Sequence, residues 1–169
     1  MKRNRSRTVA FLGLCTALAL ILAYVEILIQ PLIPSIPGIK MGLPNIIIIF
    51  LLYRRGAASA SVVSFVRILL VSMLFGNMMA MLYSLSGGVL SLLVMILLRR
   101  ANWLSAVGVS VAGGVMHNVG QILMAMLLLE TAELGYYLVV LTVTGIIAGV
   151  FVGLCGSLLV KHVPNKLRF

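Results

Sequence analysis

The sequence is a succession of long apolar runs, near residues 8–30, 38–53, 57–75, 77–98, 103–129 and 134–160, separated by short polar or basic breaks. Most of these runs approach the roughly 20 residues that an α-helix needs to cross hydrocarbon. A backbone in lipid must satisfy its N–H and C=O groups internally, so such runs fold as helices. The pattern predicts an all-α polytopic membrane protein, with 1–169 forming a single transmembrane domain built as a six-helix bundle. The breaks carry helix-stopping or charged residues: the prolines after Gln30, Arg54-Arg55-Gly56, Gly76-Asn77, Arg99-Arg100 and Glu130 through Gly135. Gly76-Asn77 is the weakest of them, and a continuous helix there would give five spans instead of six.

Composition agrees with this reading. Hydrophobic residues make up 62% of the chain and charged residues 9%, too little polar matter to cover a soluble domain of 169 residues. There is no Asp, and the only acids are Glu26, Glu130 and Glu133. A clustered-carboxylate site for a hard cation is therefore hard to build, as is a paired-carboxylate acid and base. No catalytic residue, metal site or cofactor is expected. Cys15 and Cys155 lie within apolar runs and read as small helix residues.

The net charge of +10 does not point to nucleic acid. Basic residues fall in short clusters between apolar runs, without the interleaved aromatics that stack on bases. With the N-terminus inside, Lys2, Arg3, Arg5 and Arg7, then Arg54-Arg55, Arg99-Arg100 and finally Lys161, Lys166 and Arg168 all become cytoplasmic. Lys40, Glu130 and Glu133 are left on the other side. This is the positive-inside asymmetry, and it predicts an even number of helices with both termini cytoplasmic. The first run has a basic flank but is longer than the apolar region of a signal peptide, so it is read as a retained helix.

Polar residues inside the runs mark a candidate site. Arg67 falls near the middle of helix three, too deep to snorkel, and must face the bundle interior or a wet cavity. Its counter-charge is either Glu26 or a ligand. Lys40 follows Pro31, Pro34 and Pro37, and a helix from Pro44 to Tyr53 would rise only about 15 Å, half the hydrocarbon thickness. The chain before it is expected to fold inward and line a cavity, with Lys40 and Asn45 near a helix N-terminus. The alternative is an ordinary loop with a snorkelling Lys40. In helix five, His117 and Gln121 share a face and Asn118 lies beside them, after Gly113 and Gly114. These are read as ligand-orienting groups or as an interhelical clamp, and Tyr83 with its neighbours Ser84 and Ser86 adds hydroxyls.

Small residues mark helix contacts. Gly145, Gly149, Gly153 and Ser157 recur at four-residue spacing, and helix one offers Gly13 with Ala17 and Ala19 with Ala23. Such stripes let helix backbones approach closely, either within the chain or against a partner.

Three of these segments carry a resemblance. Gly38-Ile39-Lys40-Met41-Gly42-Leu43, Tyr83-Ser84-Leu85-Ser86-Gly87-Gly88 and His117-Asn118-Val119-Gly120-Gln121 resemble, in that order, the bacterial Gx transporter family. That family is often labelled heptaprenyl diphosphate synthase component I, and the similarity spans nearly the whole chain. The sequence departs from its pattern at Pro44, where a small residue is expected. More distantly, the family is similar to the substrate-binding S-components of energy-coupling-factor transporters. The resemblance implies a six-helix bundle in the bacterial cell membrane that holds a small nutrient under an ordered loop. It also implies docking through the small residues of helix one onto a transmembrane coupling subunit driven by ATPases.

The functional expectation is a substrate-binding subunit of an uptake transporter for a small anionic or amphipathic solute. Lys40 and Arg67 would neutralise the anion, while Asn45, Tyr83, His117, Asn118 and Gln121 would orient it; Gly13, Ala17, Ala19 and Ala23 would dock the partner. The chain has no phosphate-binding loop of its own, so ATP-driven uptake would need another subunit. The alternative is a non-catalytic membrane anchor or accessory subunit of an isoprenoid or quinone-related enzyme, since aspartate-rich prenyl-transfer motifs are missing.

Overall fold

The computed structural model describes residues 2–29 and 42–163. Among them are six α-helices: α1 Lys2–Ile29, α2 Asn45–Arg54, α3 Ala57–Phe75, α4 Met78–Ala101, α5 Ala106–Leu129 and α6 Tyr137–His162. A 3-10 turn, Ala132–Tyr136, leads into α6, and the described residues contain no strand. Five of the helical stretches are long and apolar enough to cross a membrane, and α2 is the short one. The chain is thus a helical membrane protein, an all-α bundle.

The weak break at Gly76-Asn77 is a true helix boundary. Gly76 is extended, and the Asn77 side chain accepts a 2.8 Å hydrogen bond from the Ala80 amide, capping α4. Ser105 caps α5 likewise, accepting from Gly108. At the other ends of those helices, Asn102 and Glu130 take left-handed backbone conformations. The six-helix reading follows from these caps, and the five-helix alternative falls.

The helix α2 lies in the core. Its residues Ile47 through Leu52 are all buried, as expected for a helix that is apolar all round. It packs against α1, α3 and α6. Lipid is as apolar as the core, so this packing rests on dispersion and fit, with no hydrophobic driving force between helices. The outer faces are apolar too: Leu18, Phe65, Leu97, Leu127 and Ile147 are among many exposed hydrophobic residues. A surface of that kind suits lipid rather than water.

Glycines bring α4, α5 and α6 into backbone contact. A Cβ on Gly87 would lie 2.6 Å from the His117 carbonyl oxygen, and one on Gly149 would lie 2.6 Å from Val111 Cα. Gly145, Gly149 and Gly153 of α6 all face α5, so most of that stripe is spent within the chain. Ser157 is partly exposed and donates to Leu154 O on its own helix.

The basic breaks gather at one end of the bundle. Arg54 donates to the Val160 and Val163 carbonyls at the close of α6. Arg55 stacks on Phe11 of α1, and Arg99 stacks on Tyr53 while donating to its carbonyl. Of the apolar run at 38–53, the described residues form a helix from Asn45, and Gly38 through Met41, with Lys40, lie outside the described residues.

Candidate functional site

The site begins with the shortness of α2. Its last residue, Arg54, is tied to the basic end of the bundle. Its 10 residues rise ~15 Å, half of a ~30 Å hydrocarbon layer, so its first residue lies well inside the bundle. The chain at 42–44 is therefore irregular backbone at depth, which needs protein or cavity partners. Glu26, near the end of α1, supplies them. Its carboxylate accepts from the Gly42 amide at 2.8 Å and from the Leu43 amide at 3.2 Å. Gly42 adopts φ +71°, a left-handed conformation that a side chain would strain. A turn then closes with Asn45 N donating to Gly42 O at 2.8 Å.

This turn walls a cavity of about 280 Å³ between the ends of α1 and α2, the second half of α3, the start of α4 and the middle of α5. Its polar lining is Glu26, Asn45, Arg67, Ser72, Ser84 and His117, set among Ala23, Ile27, Ile68, Val71 and Phe75. Arg67 is only 8% exposed. Its guanidinium donates to Asn45 Oδ1 at 3.4 Å, which uses one of five N–H donors. Glu26 lines the same cavity, and its carboxylate oxygens bind the 42–43 backbone. The positive end of the α2 dipole lies on the same wall. A buried, planar, multidentate cation beside an amide and hydroxyls is suited to holding an anionic group such as a carboxylate or phosphate.

The structure thus brings together Asn45, Arg67 and His117 from the residues expected at the site. Others fall elsewhere. Asn118 is buried and donates to Leu141 O of α6 at 2.6 Å, the interhelical clamp. It borders a neighbouring space of about 20 Å³, room for a single water, which shares Gly42, Asn45 and His117 with the cavity. Gln121 shares a helix face with His117 but lies one turn further along, against Gly87 of α4. Tyr83 is not among the cavity residues although the adjacent Ser84 is, because successive helix residues diverge by about 100°.

The expected docking set on α1 also splits. Ala19 is fully buried and Ala23 lines the cavity, so both face the protein's own interior. Gly13 and Ala17 are exposed, and nothing lies within 4 Å of a Cβ placed on Gly13. The reason is helical phase: four-residue spacing keeps each pair on one face, whereas Ala17 and Ala19 point to opposite sides. Ser72 was missed in the sequence, since a lone serine in an apolar helix looks like a packing residue. Its signal was the four-residue spacing to Gly76, which lines the same cavity.

The family model described as "Heptaprenyl diphosphate synthase component I" matches residues 15–159. No curated protein and no solved structure matches the sequence.

Proposed function

The chain belongs to the heptaprenyl diphosphate synthase component I family, and we propose that this member is a membrane-embedded substrate-binding subunit for a small anionic or amphipathic solute. The observation that carries the reading is the buried Arg67 guanidinium, hydrogen-bonded to Asn45 on the wall of a cavity of about 280 Å³. A volume at the lower end of ligand sites suits a small molecule. The arginine supplies charge and orientation, and Ser72, Ser84 and His117 lie within the same space to complete the hydrogen bonding. We place the basic end of the bundle in the cytoplasm by the positive-inside rule, which puts the cavity towards the outer half of the membrane. Release to the inside would then require a coupling partner or an ion gradient.

A second reading draws support from the family description. The chain would be a non-catalytic membrane subunit of a prenyl diphosphate synthase system, and the cavity would hold a diphosphate head. The sequence has no Asp, so clustered carboxylates for metal-held diphosphate chemistry would come from another chain.

Thermal unfolding of the purified protein against panels of vitamins, isoprenoid phosphates and quinone precursors tests both. Stabilisation by an anionic compound, lost in Arg67→Ala and partly kept in Arg67→Lys, is expected. A folded Arg67→Ala protein with unchanged affinity for that compound would sink the cavity assignment. Isoprenoid phosphates as the sole stabilising class would favour the second reading.

A further inference from the structure

A second, unassigned space lies between α3 and α4. An apolar groove of about 240 Å³ runs along these helices, walled by Phe65, Val89, Leu92, Leu93 and Ile96 among others. Phe65, Val89 and Leu93 are each about half exposed, so the groove opens to the lipid-facing side. At its basic end, Ile96 also borders a pocket of about 330 Å³ lined by Leu52, Ala57, Arg99 and Arg100. At its other end, Ile68 separates the groove from the Arg67 cavity by seating its Cδ1 against Gly88, where a Cβ would come within 2.5 Å.

From this layout we propose that the α3–α4 crevice is a binding site for an anionic membrane phospholipid, with one acyl chain in the groove and the phosphate head between Arg99 and Arg100. The two chemistries are in the order a lipid presents them. From Gly88 to Ile96 the groove follows ~12 Å of helix, a stretch suited to an extended hydrocarbon chain. Beyond Ile96 the lining turns cationic. Arg99 is held in place by Tyr53, whose ring it stacks on and whose carbonyl it binds at 3.3 Å, so it is positioned before a head group arrives. Arg100 is exposed at the mouth. Basic pockets between membrane helices attract phosphate heads, and charge complementarity selects an anionic lipid over a zwitterionic one. This site is independent of the Arg67 cavity and of whatever solute that cavity holds.

The test uses the delipidated full chain in detergent, with thermal unfolding followed during titration by phosphatidylglycerol, phosphatidylcholine or inorganic phosphate. Phosphatidylglycerol is expected to raise the midpoint, and neither of the others should match it. Arg100→Gln should raise the phosphatidylglycerol concentration needed by about fivefold. Ser61→Phe, which fills the groove, should abolish the effect, and Lys161→Gln, a surface charge at the same end, should leave it intact. Native mass spectrometry of retained lipid reads the same loss even where a variant's own midpoint has moved. Equal stabilisation by phosphatidylcholine, or equal behaviour of Arg100→Gln and Lys161→Gln, would mean non-specific annular lipid and overturn the proposal. Full stabilisation by inorganic phosphate would overturn it in favour of a free-anion site.

Discussion

Glu26 accepts a 2.8 Å hydrogen bond from the backbone amide of Gly42, sixteen residues further along the chain. This bond, with its 3.2 Å neighbour to Leu43, fixes the turn that walls the cavity. Glu26→Ala should leave two amides without that acceptor and cost about 1–3 kcal/mol. Glu26→Gln keeps one acceptor oxygen but removes the charge that favours Arg67, so its cost should be smaller and its effect on anion binding should run towards tighter association. Thermal and denaturant unfolding in detergent, with and without ligand, measure both. Equal stability of the two variants would show that the turn is held by other contacts.

Asn45 is the direct neighbour of the Arg67 guanidinium. Asn45→Asp places a fixed carboxylate where a ligand's anionic group would compete, and affinity for an anionic solute should fall by at least about tenfold, or ~1.4 kcal/mol. Asn45→Ala removes the hydrogen bond without adding charge and should cost much less. Isothermal titration of the purified variants separates the two, and an unaffected Asn45→Asp protein would argue that the anion lies elsewhere.

The Asn118 amide belongs to packing. Its 2.6 Å bond to Leu141 O joins α5 to α6, and interhelical bonds of this type contribute ~0.6 kcal/mol on average, up to ~1.7. Asn118→Leu should therefore lower unfolding stability by about 1 kcal/mol, while solute affinity stays unchanged. Loss of affinity without loss of stability would return Asn118 to the binding site.

Helix one and helix six give opposite responses to added bulk. Gly149→Leu would drive a side chain into Val111 and should destabilise the fold by ~1–3 kcal/mol or more. Gly13→Leu and Ala17→Leu lie on an exposed face and should leave folding and solute binding intact. If that face docks a coupling partner, the same two variants should lose uptake or co-purification. Full uptake in both would remove α1 from the docking surface.

The helices and their order were legible because span length and charge asymmetry are written directly in the sequence. The short α2 was legible from Pro44, whose place before the helix leaves only 10 residues to Arg54. Arg67 could be assigned to the interior because no side chain reaches water from mid-helix. What sequence could not supply was rotational phase between helices. Periodicity puts His117 and Gln121 on one face, but only the packing of α4 shows that both meet Gly87 while His117 alone also lines the cavity. Asn118 illustrates the same limit, since its partner is a backbone carbonyl 23 residues away on α6.

The anchoring of Arg54 to the last turn of α6 has a consequence for biogenesis. A 10-residue helix is too short to partition stably into a bilayer by itself as it leaves the insertion machinery. Its terminal guanidinium finds its carbonyl acceptors 106 and 109 residues later in the chain. That anchor therefore cannot form until the last turn of α6 has been synthesised.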